Sequence, residues 1–115
     1  MEILQTSAEL TTEDKYLLTM NPEIQKMSDQ VGQVLDLDKW LIYADVNEKD
    51  GAEQQILSIM TGEGEVFATN SSTFINDFEK LIDLFGSNNE TVSKVEIISG
   101  QSKAGRTFIT CKYAK

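Results

Sequence analysis

The side chains that most often run chemistry are scarce in this 115-residue chain. It has no histidine, which removes the commonest general base, most zinc sites and the usual serine or cysteine triads. Cys111 is the single cysteine, lacks a base partner, and reads as a small core residue on a strand. Carboxylates are plentiful, but Asp36 with Asp38, and Glu63 with Glu65, sit at strand or turn spacing without any accompanying motif, as a solvated acidic face does. Gly100 to Gly105, Gly-Gln-Ser-Lys-Ala-Gly, lacks the Gly-Lys-Ser or Thr ending of a P-loop and the helix that must follow it. With no catalytic constellation, no cofactor motif and no metal site, the residues point to a protein that binds rather than one that catalyses.

Binding of single-stranded nucleic acid needs flat rings for the bases and cations along the backbone. Trp40, Tyr43, Phe67, Phe108 and Tyr113 fall on strand-like runs, and Lys39, Lys94, Lys103, Arg106 and Lys112 lie on or beside the same runs. Half of these rings must be core. Ordinary burial takes Tyr43 and Phe67, whereas Trp40 shares a strand face with Asp36 and Asp38, which argues for exposure. Phe108 and Lys112 share a face of one strand. The candidate nucleic-acid site is therefore Lys39, Trp40, Lys94, Lys103, Arg106, Phe108, Lys112 and Tyr113.

Charge distribution bears on this reading. A net charge of −9 opposes tight, non-specific binding to duplex phosphates if it is spread evenly. It is not: from Lys94 onward there are five bases and one acid, against five bases and eighteen acids before it. An acidic body with a basic final hairpin fits one anion-binding face, and fits an ordinary soluble surface equally well.

The elements that must carry these residues are legible in outline. Phe74, Phe78, Leu81, Ile82 and Phe85 recur at helical spacing, predicting a helix over Ser72 to Gly86 with Ser72 as its cap and Gly86 as a left-handed stop. Three strand-like runs precede it: Val34 to Val46, Gln54 to Thr61 and Glu65 to Thr69. Two follow, Thr91 to Ser99 and Arg106 to Tyr113. The order β-β-β-α-β-β is that of the five-stranded OB barrel, and thirteen residues of first strand would have to bend across both halves of it. Before Gln33, Thr12 caps a short helix, Pro22 interrupts, and a second helical stretch runs to Val31, while Met1 to Leu10 shows no period. The expected organisation is a helical extension over residues 1–32 and an OB-fold domain over 33–115. One cysteine, no basic-then-apolar leader and no apolar run near the ~20 residues of a membrane span predict a cytoplasmic protein that meets no membrane.

Several stretches carry a resemblance: Val-Phe-Ala-Thr-Asn-Ser at Val66 to Ser71, Thr-Phe-Ile-Asn-Asp-Phe at Thr73 to Phe78, Gly100 to Cys111, Lys26 to Asp29 and Val31 to Val34. From about Met27 onward the chain resembles the single-stranded DNA-binding proteins of phages and mobile elements of Gram-positive bacteria. The resemblance implies an OB-type fold that coats displaced strands in replication or recombination without reading sequence, inside a bacterial host. It also implies contact with replication or recombination proteins and leaves a homo-oligomer open. Better-known bacterial single-strand binders end in an acidic tail, whereas this sequence ends Lys112-Tyr113-Ala114-Lys115, so the acidic body and N-terminal extension, Met1 to Val31, are the expected partner contact instead. The rival reading, resting on the net charge, is an acidic protein-binding module or phage-encoded inhibitor that faces a host DNA-binding enzyme and carries no DNA.

Overall fold

A computed structural model describes residues 1–115. Its organising feature is a sheet switch. The run Val34 to Val46 divides into β3 (Val34–Asp36) and β4 (Lys39–Val46), and the break falls on two consecutive peptides. Leu37 N–H donates to the Ser93 carbonyl at 2.8 Å, while Asp38 N–H donates to the Met60 carbonyl at 3.1 Å. The chain thus leaves one sheet and enters the other within one residue. Leu35 and Leu41 consequently belong to different apolar clusters, although unbroken alternation would put them on one face.

The remaining elements are β1 (Glu2–Thr6), α1 (Thr12–Thr19), β2 (Gln25–Lys26), β5 (Glu53–Met60), β6 (Val66–Thr69), α2 (Ser72–Ser87), β7 (Lys94–Gln101) and β8 (Thr107–Tyr113). They form a five-stranded sheet ordered β1-β4-β5-β6-β2 and a three-stranded sheet ordered β3-β7-β8. Between the sheets lies the main core: Trp40, Ile42, Leu57, Ile59 and Phe67 from the larger, Leu35, Val95, Ile97 and Cys111 from the smaller, and Phe74, Ile75 and Phe78 from α2. The other face of the larger sheet is also covered, with Leu41, Tyr43, Met60 and Val66 packing against Leu10 and Leu18. Burial on both faces explains why Trp40 to Ala44 contains no polar alternation apart from the tyrosine hydroxyl.

The chain is mainly β, but the strands do not close into one cylinder. Closure would pair β6 with β8, and that edge of β6 is already occupied: β2 runs parallel to it, with Gln25 opposite Phe67 and Lys26 opposite Ala68. The segment expected to be a second helical stretch supplies this strand and a 3-10 turn at Met27–Asp29, because Pro22 ends the helical path and buried Met27 draws the chain into the main core. β8 is left as an edge, and α2 lies along part of it. Thr110 donates its hydroxyl to the Asp77 carboxylate, and Phe85 stacks obliquely on Tyr113 with ring centres 5.1 Å apart.

Other expectations shift by small, explicable amounts. Thr11, not Thr12, caps α1, because Asp14 returns its hydrogen bond and completes a capping box. Ser71, not Ser72, accepts from Phe74 N–H at the head of α2. Gly86 is not the left-handed stop; the helix runs through Ser87 and Asn89 adopts φ 57°. The aperiodic N-terminus is a strand, β1, pairing antiparallel with β4 across a bulge between Ile3 and Gln5.

Candidate nucleic-acid interface

The β7–β8 hairpin is pinned by its register, from Val95 opposite Tyr113 to Gln101 opposite Thr107, and by a compact turn. In that turn Ser102 N–H donates to the Arg106 carbonyl at 2.9 Å, Arg106 N–H to Ser102 Oγ at 3.2 Å, and Gly105 takes φ +79°, which a side chain would resist. Lys103 and Arg106 stand exposed on it. One pair further in, the half-buried Phe108 ring lies over Gly100, so closely that a Cβ there would come within 2.8 Å of Phe108 Cζ. The missing side chain at position 100 therefore leaves the room that this ring occupies.

Phe108 forms part of the wall of an open cleft of about 740 Å3 at the seam that β2 keeps from closing, between the end of β6 and the first half of β8. Ser71 Oγ bridges the seam by donating to the Ile109 carbonyl at 3.3 Å. Gln54 and Asn70 line the cleft as an amide pair, Asn70 Nδ2 donating to Gln54 Oε1 at 3.1 Å. Lys26 is the only charged residue among those that line it. In a chain with nearly twice as many acids as bases, a groove with a cation and no carboxylate is where a polyanion meets least repulsion.

Sequence reasoning placed eight residues in one site, and the structure distributes them over three places. Lys103, Arg106 and Phe108 lie at the turn end of the hairpin, with Arg106 directly before Thr107 of the cleft. Lys94, Lys112 and Tyr113 lie at its other end, about 20 Å away along a strand at ~3.3 Å per residue. There Lys112 Nζ lies 3.8 Å from Glu96 Oε1, and Tyr113, packed against Phe85, remains exposed. The third place is the start of β4. Trp40 does not offer the exposed ring expected of it: it is 6% exposed and meets Phe78 edge-on at 5.0 Å, because the switch at Asp38 turns its ring into the core. Nor is Lys39 a free cation, since its ammonium holds Asp14 Oδ1 at 3.0 Å. Thr11 N–H first, and Lys39 second, keep the Asp14 carboxyl below its ordinary range, and Asp14 in turn raises Lys39. Phe67 and Tyr43 are buried, and burial, then Asp45, pushes the tyrosine hydroxyl upward.

Lys26, Gln54 and Asn70 escaped the sequence reading. Nothing local marks them, because Lys26 reaches the cleft only through the long-range pairing of β2 with β6.

The profile of a protein family described as Phage Single-stranded DNA-binding protein matches residues 10–114. The chain belongs to this family. As a phage single-stranded DNA-binding protein it acts in phage replication by binding single strands, and the family is a binding family rather than an enzymatic one. Membership supports the DNA-binding reading over the rival acidic module. The matched span takes in the whole cleft and hairpin and leaves β1 outside. Neither curated proteins nor solved structures give a match. No helix of this phage single-stranded DNA-binding protein is long and apolar enough to cross a membrane.

Proposed function

We propose that this protein coats single-stranded DNA irrespective of sequence, the strand lying in the cleft between β6 and β8 and passing over the hairpin turn. Phe108 stacks on a base, while Lys26, Lys103 and Arg106 neutralise phosphates. The observation that carries this reading is the cleft itself, with Phe108 in its wall and Lys26 as its only charge. A strand order in which β5 and β6 serve as second and third strands, with loops 47–52 and 102–106 nearby, supports descent from an OB barrel, whose ligands use that face and those loops. On this reading residues 1–32 are an extension that holds the barrel open, and 33–115 the OB-related unit. Sequence independence follows from the chemistry, since every base has a face to stack and every nucleotide a phosphate. Lys94, Lys112 and Tyr113 form a second contact for strands long enough to reach along the hairpin. The likeness to proteins of Gram-positive phages supports a host of that kind, with the protein acting in its cytoplasm in replication or recombination.

The test is a charge reversal of Lys103 and Arg106 together, read by anisotropy of labelled oligothymidine and mixed-sequence strands at low salt. Both strands should bind more weakly, and by the same factor. Unchanged binding removes the hairpin from the site; a loss confined to one sequence refutes sequence independence.

A further inference from the structure

A second cleft, of about 580 Å3, opens beneath the sheet switch, where the Leu37–Asp38 crossing meets the end of α2 and the start of β7. Its apolar lining comes from Leu37, Trp40, Ile82 and Val92, with Ser7 and Ala8 forming a wall. Asp36, Asp38 and Glu90 are its only charged residues and all three are exposed. The nearest cations are otherwise engaged or set apart: Lys39 is held by Asp14, and Lys94, though opposite Asp36 in register, makes no ion pair with it. The Asp36 carboxylate is partly spent, accepting from Gly62 N–H at 2.6 Å, whereas the carboxylates of Asp38 and Glu90 accept no hydrogen bond and form no ion pair. The indole N–H of Trp40 likewise meets no acceptor in the protein, and it is not among the enclosed unpartnered atoms, so it keeps access to solvent.

We propose that this cleft is a docking site for a cationic peptide segment of a partner protein, carrying one apolar side chain flanked by lysine or arginine. The apolar side chain fills the space over Leu37, Ile82 and Val92, and the flanking cations face Asp38 and Glu90. Charge complementarity selects this occupant and excludes nucleic acid, whose phosphates the three carboxylates repel. The position keeps the two ligands apart. Ser93, just before β7, lines this cleft and Ser99, within that strand, the DNA cleft, about 20 Å apart at ~3.3 Å per residue, so a strand held in the DNA cleft alone leaves the peptide site free. The inference does not depend on where DNA binds.

Trp40 is the sole tryptophan and lines this cleft, so its fluorescence is a built-in reporter. The full-length protein is titrated with the peptide Lys-Arg-Leu-Lys-Arg, with Lys-Arg-Gly-Lys-Arg lacking the apolar side chain, and with Glu-Glu-Leu-Glu-Glu. Saturable change with the first, a dissociation constant weaker by about tenfold with the second, and no response to the third are expected. The double variant Asp38→Asn with Glu90→Gln should weaken the first peptide by about fivefold to tenfold, while Glu63→Gln with Glu65→Gln, an equal charge change elsewhere, leaves it unaltered. Equal weakening by both variants reveals diffuse attraction to an acidic surface and overturns the proposal, as does no Trp40 response in the unmodified protein. Response to calcium or magnesium ions alone, or to increasing protein concentration alone, assigns the cleft to a cation or to a second copy and also overturns it. Anisotropy with oligothymidine, run in parallel, should be unaffected by either variant beyond a modest gain from lost negative charge.

Discussion

Replacing Lys26 with alanine separates a charge that meets DNA from one that merely decorates the surface. Three cations, Lys26, Lys103 and Arg106, lie in or beside the cleft. Each phosphate neutralised on a single strand contributes about 0.7 to the slope of log affinity against log salt, so three give a slope of about −2.1. Between 50 and 200 mM salt the intact protein should then lose about 18-fold in affinity, and Lys26→Ala, with a slope of about −1.4, only about 7-fold. Anisotropy of a labelled oligothymidine too short to reach Lys94 and Lys112 measures both slopes over that salt range. Lys26 is exposed and only its backbone pairs with β6, so the variant should unfold at the same temperature as its parent. As a control, Lys80→Ala on exposed α2 surface removes one positive charge from elsewhere and should leave the slope alone. An unchanged slope for Lys26→Ala, or an equal drop for both, refutes the placement of DNA in this cleft.

Phe108→Ala should cost about 1–3 kcal/mol of strand binding, about 5-fold to 150-fold in affinity, with little change in salt slope. Gly100→Ala should move the ring without deleting it, since the added Cβ would meet Phe108 Cζ at 2.8 Å, and a filter-binding loss smaller than that of Phe108→Ala is expected; full affinity would show that the ring's position is immaterial. The Asp14 carboxyl titrates below its ordinary 3.8, so its contribution is present above that pH and is lost as pH falls through the lower folded value. Asp14→Asn should therefore flatten the acid limb of a denaturation series, and an identical limb would show the contact to be idle. Burial, with Asp77 adding, pushes the Cys111 thiol up to about 12, so a thiol reagent at pH 8 should label it only in denaturant; rapid labelling of folded protein would place that thiol outside the core.

How much of this was legible beforehand follows from the range of the forces involved. Periodicity and end signals are local, so α2 and the five main strands appear in the sequence within a few residues of their ends. The bend in the long first strand was also legible, because a run of that length cannot remain in one sheet. Its consequence for Trp40 was not, since moving the break by one residue exchanges the inward and outward faces.

The sequence by itself determined that the chain is mainly β around one long amphipathic helix, that histidine and paired-cysteine chemistry is absent, and that its cations gather toward the final hairpin. Its likeness to phage single-strand binders was also carried by contiguous residues. Only the tertiary structure decided that β2 takes the free edge of β6, that this keeps a cleft open, and that Lys26 enters it while Lys39 is tied to Asp14. Competition for a strand edge is settled by residues some forty positions apart. No local pattern encodes it, because the backbone groups that compete are the same at every position.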